Sequence, residues 1–119
     1  METINLQQKF ALISDYYKPR IAGTVNDCHI KLVKLKGEFI WHHHEHEDEL
    51  FWVVKGALRM KFRDHEEIVR EGEFIIVPRK VEHLPVADGE VHIVLIEPKS
   101  TLNTGNITNE RTVAELESI

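Results

Sequence analysis

The chain contains a single cysteine, Cys28, among 119 residues. That excludes an internal disulfide framework and suits a reducing compartment. Cys28 reads as a core or near-surface thiol and not as a nucleophile. No apolar run approaches the roughly 20 residues that cross a bilayer. The opening METINLQQKF lacks the basic start and apolar stretch of an export signal, so a cytoplasmic protein without a membrane partner is expected. A basic field is missing too. The formal net charge is -5 and the lysines and arginines are scattered, which argues against nucleic acid as a partner. With only six glycines and four prolines beside 42% hydrophobic residues, the composition is that of a folded chain. The length suits one domain, residues 1–119, with its own core.

Along the chain, the apolar period changes once. Leu6, Phe10, Ile13 and Tyr17 lie three or four apart and predict one stripe of a helix over residues 5–17. Asn5 and Gln8 are placed as in a capping box, and Pro19 stops the helix. After Pro19 the pattern is one of strands at 29–35, 39–44, 49–54, 57–63, 67–70, 73–77 and 91–96, separated by Gly56, the polar DHEE turn, Pro78 and Pro98. Many short strands with no alternating helices predict an antiparallel sandwich or barrel, core about 29–97. In ELFWVV, Phe51 and Val53 share a side with Glu49, while Leu50, Trp52 and Val54 point the other way. A small barrel has one inside, so the second apolar face needs cover from the N-terminal helix, a second copy of the chain, or both. A homodimer is the economical expectation. In the tail, Thr112 and Glu115 could cap a short final helix carrying Val113, Leu116 and Ile119.

The most unusual stretch is WHHHEHEDE, residues 41–49, with four histidines and four acidic residues in nine positions. Strand alternation puts His42 and His44 on one face, and Trp41 and His43 on the other. Glu45 to Asp48 fit a hairpin loop, and Glu49 opens the returning strand beside His42 and His44. These are three convergent nitrogen and oxygen donors, and His83 is the best remaining candidate for a fourth. Imidazole with carboxylate suits Fe, Mn, Zn, Ni or Co as one divalent ion per chain. The competing reading is a solvated, charged loop. His46 falls in the turn and reads as a bystander. His29, His65 and His92 read as structural or surface residues, of which only His92 lies in a core strand.

With these residues in view, the chain resembles the cupins, and specifically the small members built on one double-stranded β-helix. Gly37, His42, His44, Glu49 and Gly56 match their first motif, with the gap from Gly37 to His42 one residue short. Gly72, Pro78 and His83 match the second in register, while Lys80 stands in place of a turn glycine and Ala87 where asparagine is often found. The resemblance covers residues 32–96. It implies an all-β jelly-roll barrel with a short N-terminal helix and a C-terminal tail. It further implies a metal held by His42, His44, Glu49 and His83 near one end of the barrel.

Cupins span many reactions, so the fold selects none. The cavity side chains expected from parity, Phe51, Val53, Leu58, Met60 and Phe62, are apolar, and Arg59, Lys61 and Arg63 fall on the solvent side. That favours a small, partly apolar, oxygen-bearing chelator over a sugar phosphate. Oxygenase or lyase chemistry at the metal is therefore placed slightly ahead of isomerisation. A non-catalytic, metal-containing protein that binds a small metabolite is the alternative. The TGN turn at 104–106 and Arg111 are the only candidates for a mobile cap.

Overall fold

The computed structural model describes residues 1–119. A short helix, α1 (Leu6–Phe10), precedes seven strands: β1 (Arg20–Val25), β2 (Cys28–Glu38), β3 (Glu49–Lys55), β4 (Ala57–Phe62), β5 (Glu66–Arg70), β6 (Phe74–Val77) and β7 (His83–Pro98). All strand pairs are antiparallel, in the order β1-β2-β7-β3-β6, with β4 pairing to β7 and β5. β7 is the organising strand. Its first part pairs with β4 (His83 with Phe62, Val86 with Arg59), and its second part lies between β2 and β3. One long strand serving three partners closes the sheet on itself, giving the barrel expected from the strand pattern and the all-β jelly roll that the resemblance implies.

The inside is filled by residues of one parity. Val33 and Leu35 from β2, Val53 from β3, Leu58 and Met60 from β4 and Ile93 from β7 are all buried in the main cluster. Each such side chain contributes about 1.5–3 kcal/mol by leaving water. The β3–β4 corner requires Gly56. Its φ is +89°, and a Cβ there would lie 2.8 Å from the Glu90 carbonyl oxygen.

The N-terminal expectation needs correction. Asn5 caps the helix as anticipated, accepting from the Gln8 amide at 2.9 Å, but the helix ends at Phe10 and not at residue 17. A tighter turn carries the chain to Ile13 through Leu12 N–H to Lys9 O and Ile13 N–H to Phe10 O. Tyr17 then adopts φ +60° and enters the barrel, where it stacks on Phe39 and its hydroxyl donates to the Gly37 carbonyl. The apparent single stripe thus serves two cores. Phe10 and Ile13 pack on the outer face of the sheet against Leu32 and Val94, which covers part of the second apolar face. Trp52, Phe74 and Ile76 on that face remain exposed.

The tail also departs from expectation. No helix forms over 112–119. Instead Ser118 makes a parallel bridge with Ile21, and Ile119 N–H donates to Ile21 O. A segment this short is a marginal helix alone, whereas β1 offers it backbone partners. β1 itself was not anticipated, and the strand read at 91–96 extends back to His83.

Candidate metal centre

Residues 39–44 are not a ladder strand. The segment is held to the start of β7 by Phe39 N–H to Pro85 O (3.0 Å) and by one bridge, in which His42 N–H donates to His83 O (3.1 Å) and His83 N–H to His42 O (2.9 Å). Alternation nevertheless survives. His42 and His44 are buried and His43 is half-buried, its ring paired with Glu45 at 3.0 Å. The turn before His83 closes without glycine because Lys80 takes φ +70°, a strained region for a side-chain-bearing residue. Its N–H donates to His44 O at 2.7 Å, tying the second motif to the first.

His42, His44, Glu49 and His83 come together, with one donor atom from each lying within 4.8 Å of all the others. His42 Nδ1 lies 2.9 Å from Ile40 O, and His83 Nδ1 2.9 Å from Val81 O. A carbonyl only accepts, so each Nδ1 carries the proton and each Nε2 presents its lone pair inward. His44 Nε2 and His83 Nε2 face Glu49 Oε1 at 3.3 and 3.5 Å. All three atoms are buried without a hydrogen-bond partner. Buried polar atoms are rarely left so, and the donor set fits a divalent ion.

The electrostatics point the same way. Burial disfavours charge on Glu49, yet the polar groups packed around it, Glu97 first and then His44 and His83, hold its pKa well below the usual carboxylate range. Glu97 is pushed well above that range by burial and then by the Glu49 charge, with Lys31 opposing. Burial, then the neighbouring His83, lowers His42 to about 4.

That value has a consequence for the metal-free protein. Unfolded, the His42 ring takes a proton near 6.5; folded, it stays neutral until much lower pH. Its contribution to stability is complete above 6.5 and is lost as pH falls towards 4, roughly 3 kcal/mol in all. Urea unfolding of metal-free protein at pH 7.5 and 4.5 is expected to show this loss, and His42→Gln to show a smaller one. Equal slopes for the two proteins would mean that His42 is not held neutral.

The other sequence candidates lie elsewhere. His46 and His65 are exposed and His29 is half-buried. His92 stacks on Phe10 at 4.7 Å on the outer face and does not reach the cavity. Arg59 pairs with Asp88 and Glu66, and Arg63 with Glu82, on the solvent side as expected. Beside the cluster a cavity of about 410 Å³, counted to its open mouth, is walled by Val33, Leu35, Phe39, Phe51 and Leu95, with Tyr17 and Asn103. Of the five apolar residues expected there, only Phe51 lines it. Val53, Leu58 and Met60 fill the barrel interior, and Phe62 packs against that core.

Sequence reasoning missed Lys31 and Glu97. Both are buried, joined at 2.7 Å, and Glu97 lines the cavity. The Leu50–Ile96 register, carried on by one residue, places Glu97 opposite Glu49. The signal was parity. Lys31 shares a face with Val33 and Leu35, and Glu97 with Ile93 and Leu95, but charge suggested an outward position.

Comparison with known proteins agrees with this geometry. A cupin-2 domain containing protein from Shewanella frigidimarina NCIMB 400 is 43% identical, with a TM-score of 0.80 over 81% of this chain and 94% of that one. Protein NMB1881 from Neisseria meningitidis is 37% identical, with a TM-score of 0.76 over 82% of this chain and all (100%) of that one. The uncharacterized protein YdbB of Bacillus subtilis (strain 168) is 37% identical over 60 residues, 50% of this chain and 53% of YdbB, so the match spans about half of that relative. The family model described as "Cupin domain" matches residues 30–97. That segment carries all four converging side chains and most of the barrel, and the chain belongs to the cupin family.

Proposed function

We propose that this cupin is a metal-dependent enzyme acting on a small, oxygen-bearing chelating metabolite, with oxygenase or lyase chemistry. The observation that carries the reading is the convergence of His44 Nε2, Glu49 Oε1 and His83 Nε2, buried and unpartnered, beside a mostly apolar cavity. His42, His44, Glu49 and His83 would hold one divalent ion. When bound, such an ion supplies Lewis-acid polarisation of a chelating oxygen and, if it is iron, access to oxygen chemistry.

The remaining work falls to the chain itself. Ile40 O and Val81 O fix the His42 and His83 tautomers. Phe51, Leu95, Val33 and Leu35 exclude water and favour the apolar part of a ligand. Glu97 lines the cavity together with Glu49, and Lys31 anchors Glu97 at 2.7 Å. No arginine or lysine lines the cavity, which weighs against a sugar phosphate.

The test is elemental analysis of tag-free protein purified without air or chelator. Near one iron per chain is expected to go with oxygen uptake on β-diketones or small diols. Zinc, manganese or nickel with substrate cleavage would select the lyase branch. Saturable metabolite binding without turnover would replace the enzyme reading with that of a binding protein. A site that no divalent ion fills would sink both.

A further inference from the structure

We propose that the turn Thr104–Asn106 is a positioning clip for the candidate ligand His42, so that the C-terminal segment is a working part of the metal centre. The inference rests on the metal reading above and adds residues to it from outside both cupin motifs.

The need for a clip follows from the way residues 39–44 are held. They lack a ladder partner, and their ties to the second motif are Phe39 N–H to Pro85 O at 3.0 Å, the His42–His83 bridge and the Lys80 N–H to His44 O bond. Between these lies the His43 peptide, and the tail grips it on both sides. Asn106 N–H donates to His43 O at 2.9 Å, and His43 N–H donates to Asn106 Oδ1 at 2.9 Å. Because the His43 N–H belongs to the peptide before it and the His43 C=O to the peptide after it, this reciprocal pair holds both peptides that flank His43.

The contact is close enough to require glycine. Gly105 has φ +58°, and a Cβ there would lie 2.2 Å from His43 O and 3.0 Å from Cδ2 of the His42 ring. The backbone of the turn therefore touches the imidazole that offers Nε2 to the cluster. His42 also meets the ring of Phe39 edge-on at 5.5 Å. The ring is thus bounded by Gly105 and Phe39, while its Nδ1 is bonded to Ile40 O.

The turn is itself braced, as a positioning element must be. Thr104 is fully buried, and its hydroxyl bonds to Ile107 O and meets Thr112 Oγ1 at 2.6 Å. Asn103 uses both ends of its amide, donating to Arg111 O and accepting from Val113 N–H. Arg111 lies over the Phe39 ring at 4.9 Å and donates to Glu38 O. An ordinary surface turn would need none of these ties and could carry a side chain at position 105.

The experiment titrates the metal-free full chain with Co(II) alone, against a chromophoric chelator, and records the visible cobalt spectrum. Asn106→Ala removes the acceptor for His43 N–H. It is expected to weaken Co(II) binding about tenfold, as loss of a group that orients a ligand does, and to change the cobalt bands. Asn106→Asp keeps the acceptor and is expected to restore the wild-type spectrum. Gly105→Ala is expected to weaken binding further. Ile119→Ala loosens the far end of the tail, where Ile119 packs on the outer cluster, and is expected to leave affinity within about twofold of wild type. Asn106→Ala with wild-type affinity and bands would overturn the clip, as would an equal loss in Ile119→Ala. Should the wild type take up no cobalt, the metal reading fails by itself. Amide hydrogen exchange at His42–His44 then decides the clip: faster exchange in Asn106→Ala supports it, and unchanged exchange overturns it.

Discussion

His83→Ala is expected to abolish stoichiometric binding of a divalent ion, whereas His46→Ala is expected to leave that binding intact. The two histidines differ in every physical respect that matters to a ligand. His83 is fully buried at the start of β7, its Nδ1 is committed to Val81 O, and its Nε2 is left without a partner 3.5 Å from Glu49 Oε1. His46 is exposed in the loop between His44 and β3. Since loss of a group that merely orients a ligand costs about 10- to 100-fold in affinity, loss of a ligand itself should exceed that range. Elemental analysis after loading and dialysis reads the stoichiometry, and calorimetry reads the affinity. An empty site in His46→Ala would mean that the first motif coordinates in a different register. Full occupancy in His83→Ala would remove the second motif from the centre.

This cluster was legible before any coordinates because two independent periodicities meet in it. Alternation alone puts His42 and His44 on one face with Glu49 returning beside them, and it held even though residues 39–44 turned out to be a bridge and not a ladder strand. His83 came from motif spacing, which survived Lys80 because that residue accepts a left-handed backbone and is pinned to His44 O. What failed was reading local pattern as local structure. Tyr17 continues the helical spacing of Leu6, Phe10 and Ile13, yet it belongs to the barrel cavity and stacks on Phe39. Thr112 to Ile119 look like a capped helix, but β1 offers Ile119 and Ser118 a better backbone partner. The hold of Asn106 on His43 joins residues 63 apart in sequence, and nothing within either segment announces it. Lys31 and Glu97 were hidden by the general rule that charges face water, although their parity placed them inside.

That buried pair carries the largest expected effect on stability. Lys31→Met is expected to destabilise the protein by about 3–5 kcal/mol, because removing one partner of a buried ion pair strands the other. Glu97 would be left with its carboxyl fully enclosed, no ammonium at 2.7 Å, and the Glu49 anion still beside it. Replacing both, as Lys31→Met/Glu97→Leu, is expected to recover most of the loss, since apolar residues of similar volume suit a barrel whose neighbouring positions are Val33 and Leu95. Urea unfolding of the wild type, the two single variants Lys31→Met and Glu97→Leu, and the double variant gives the coupling directly. A Lys31→Met protein within about 1 kcal/mol of wild type would show that Glu97 does not depend on its cation. The recovered double variant then separates stability from function. If the pair served the fold alone, its ion affinity should match the wild type. If Glu97 helps to orient Glu49, the double variant should fold well and still bind its ion about tenfold more weakly. The second outcome is the expected one, because Glu97 lines the cavity beside the carboxylate that faces His44 and His83.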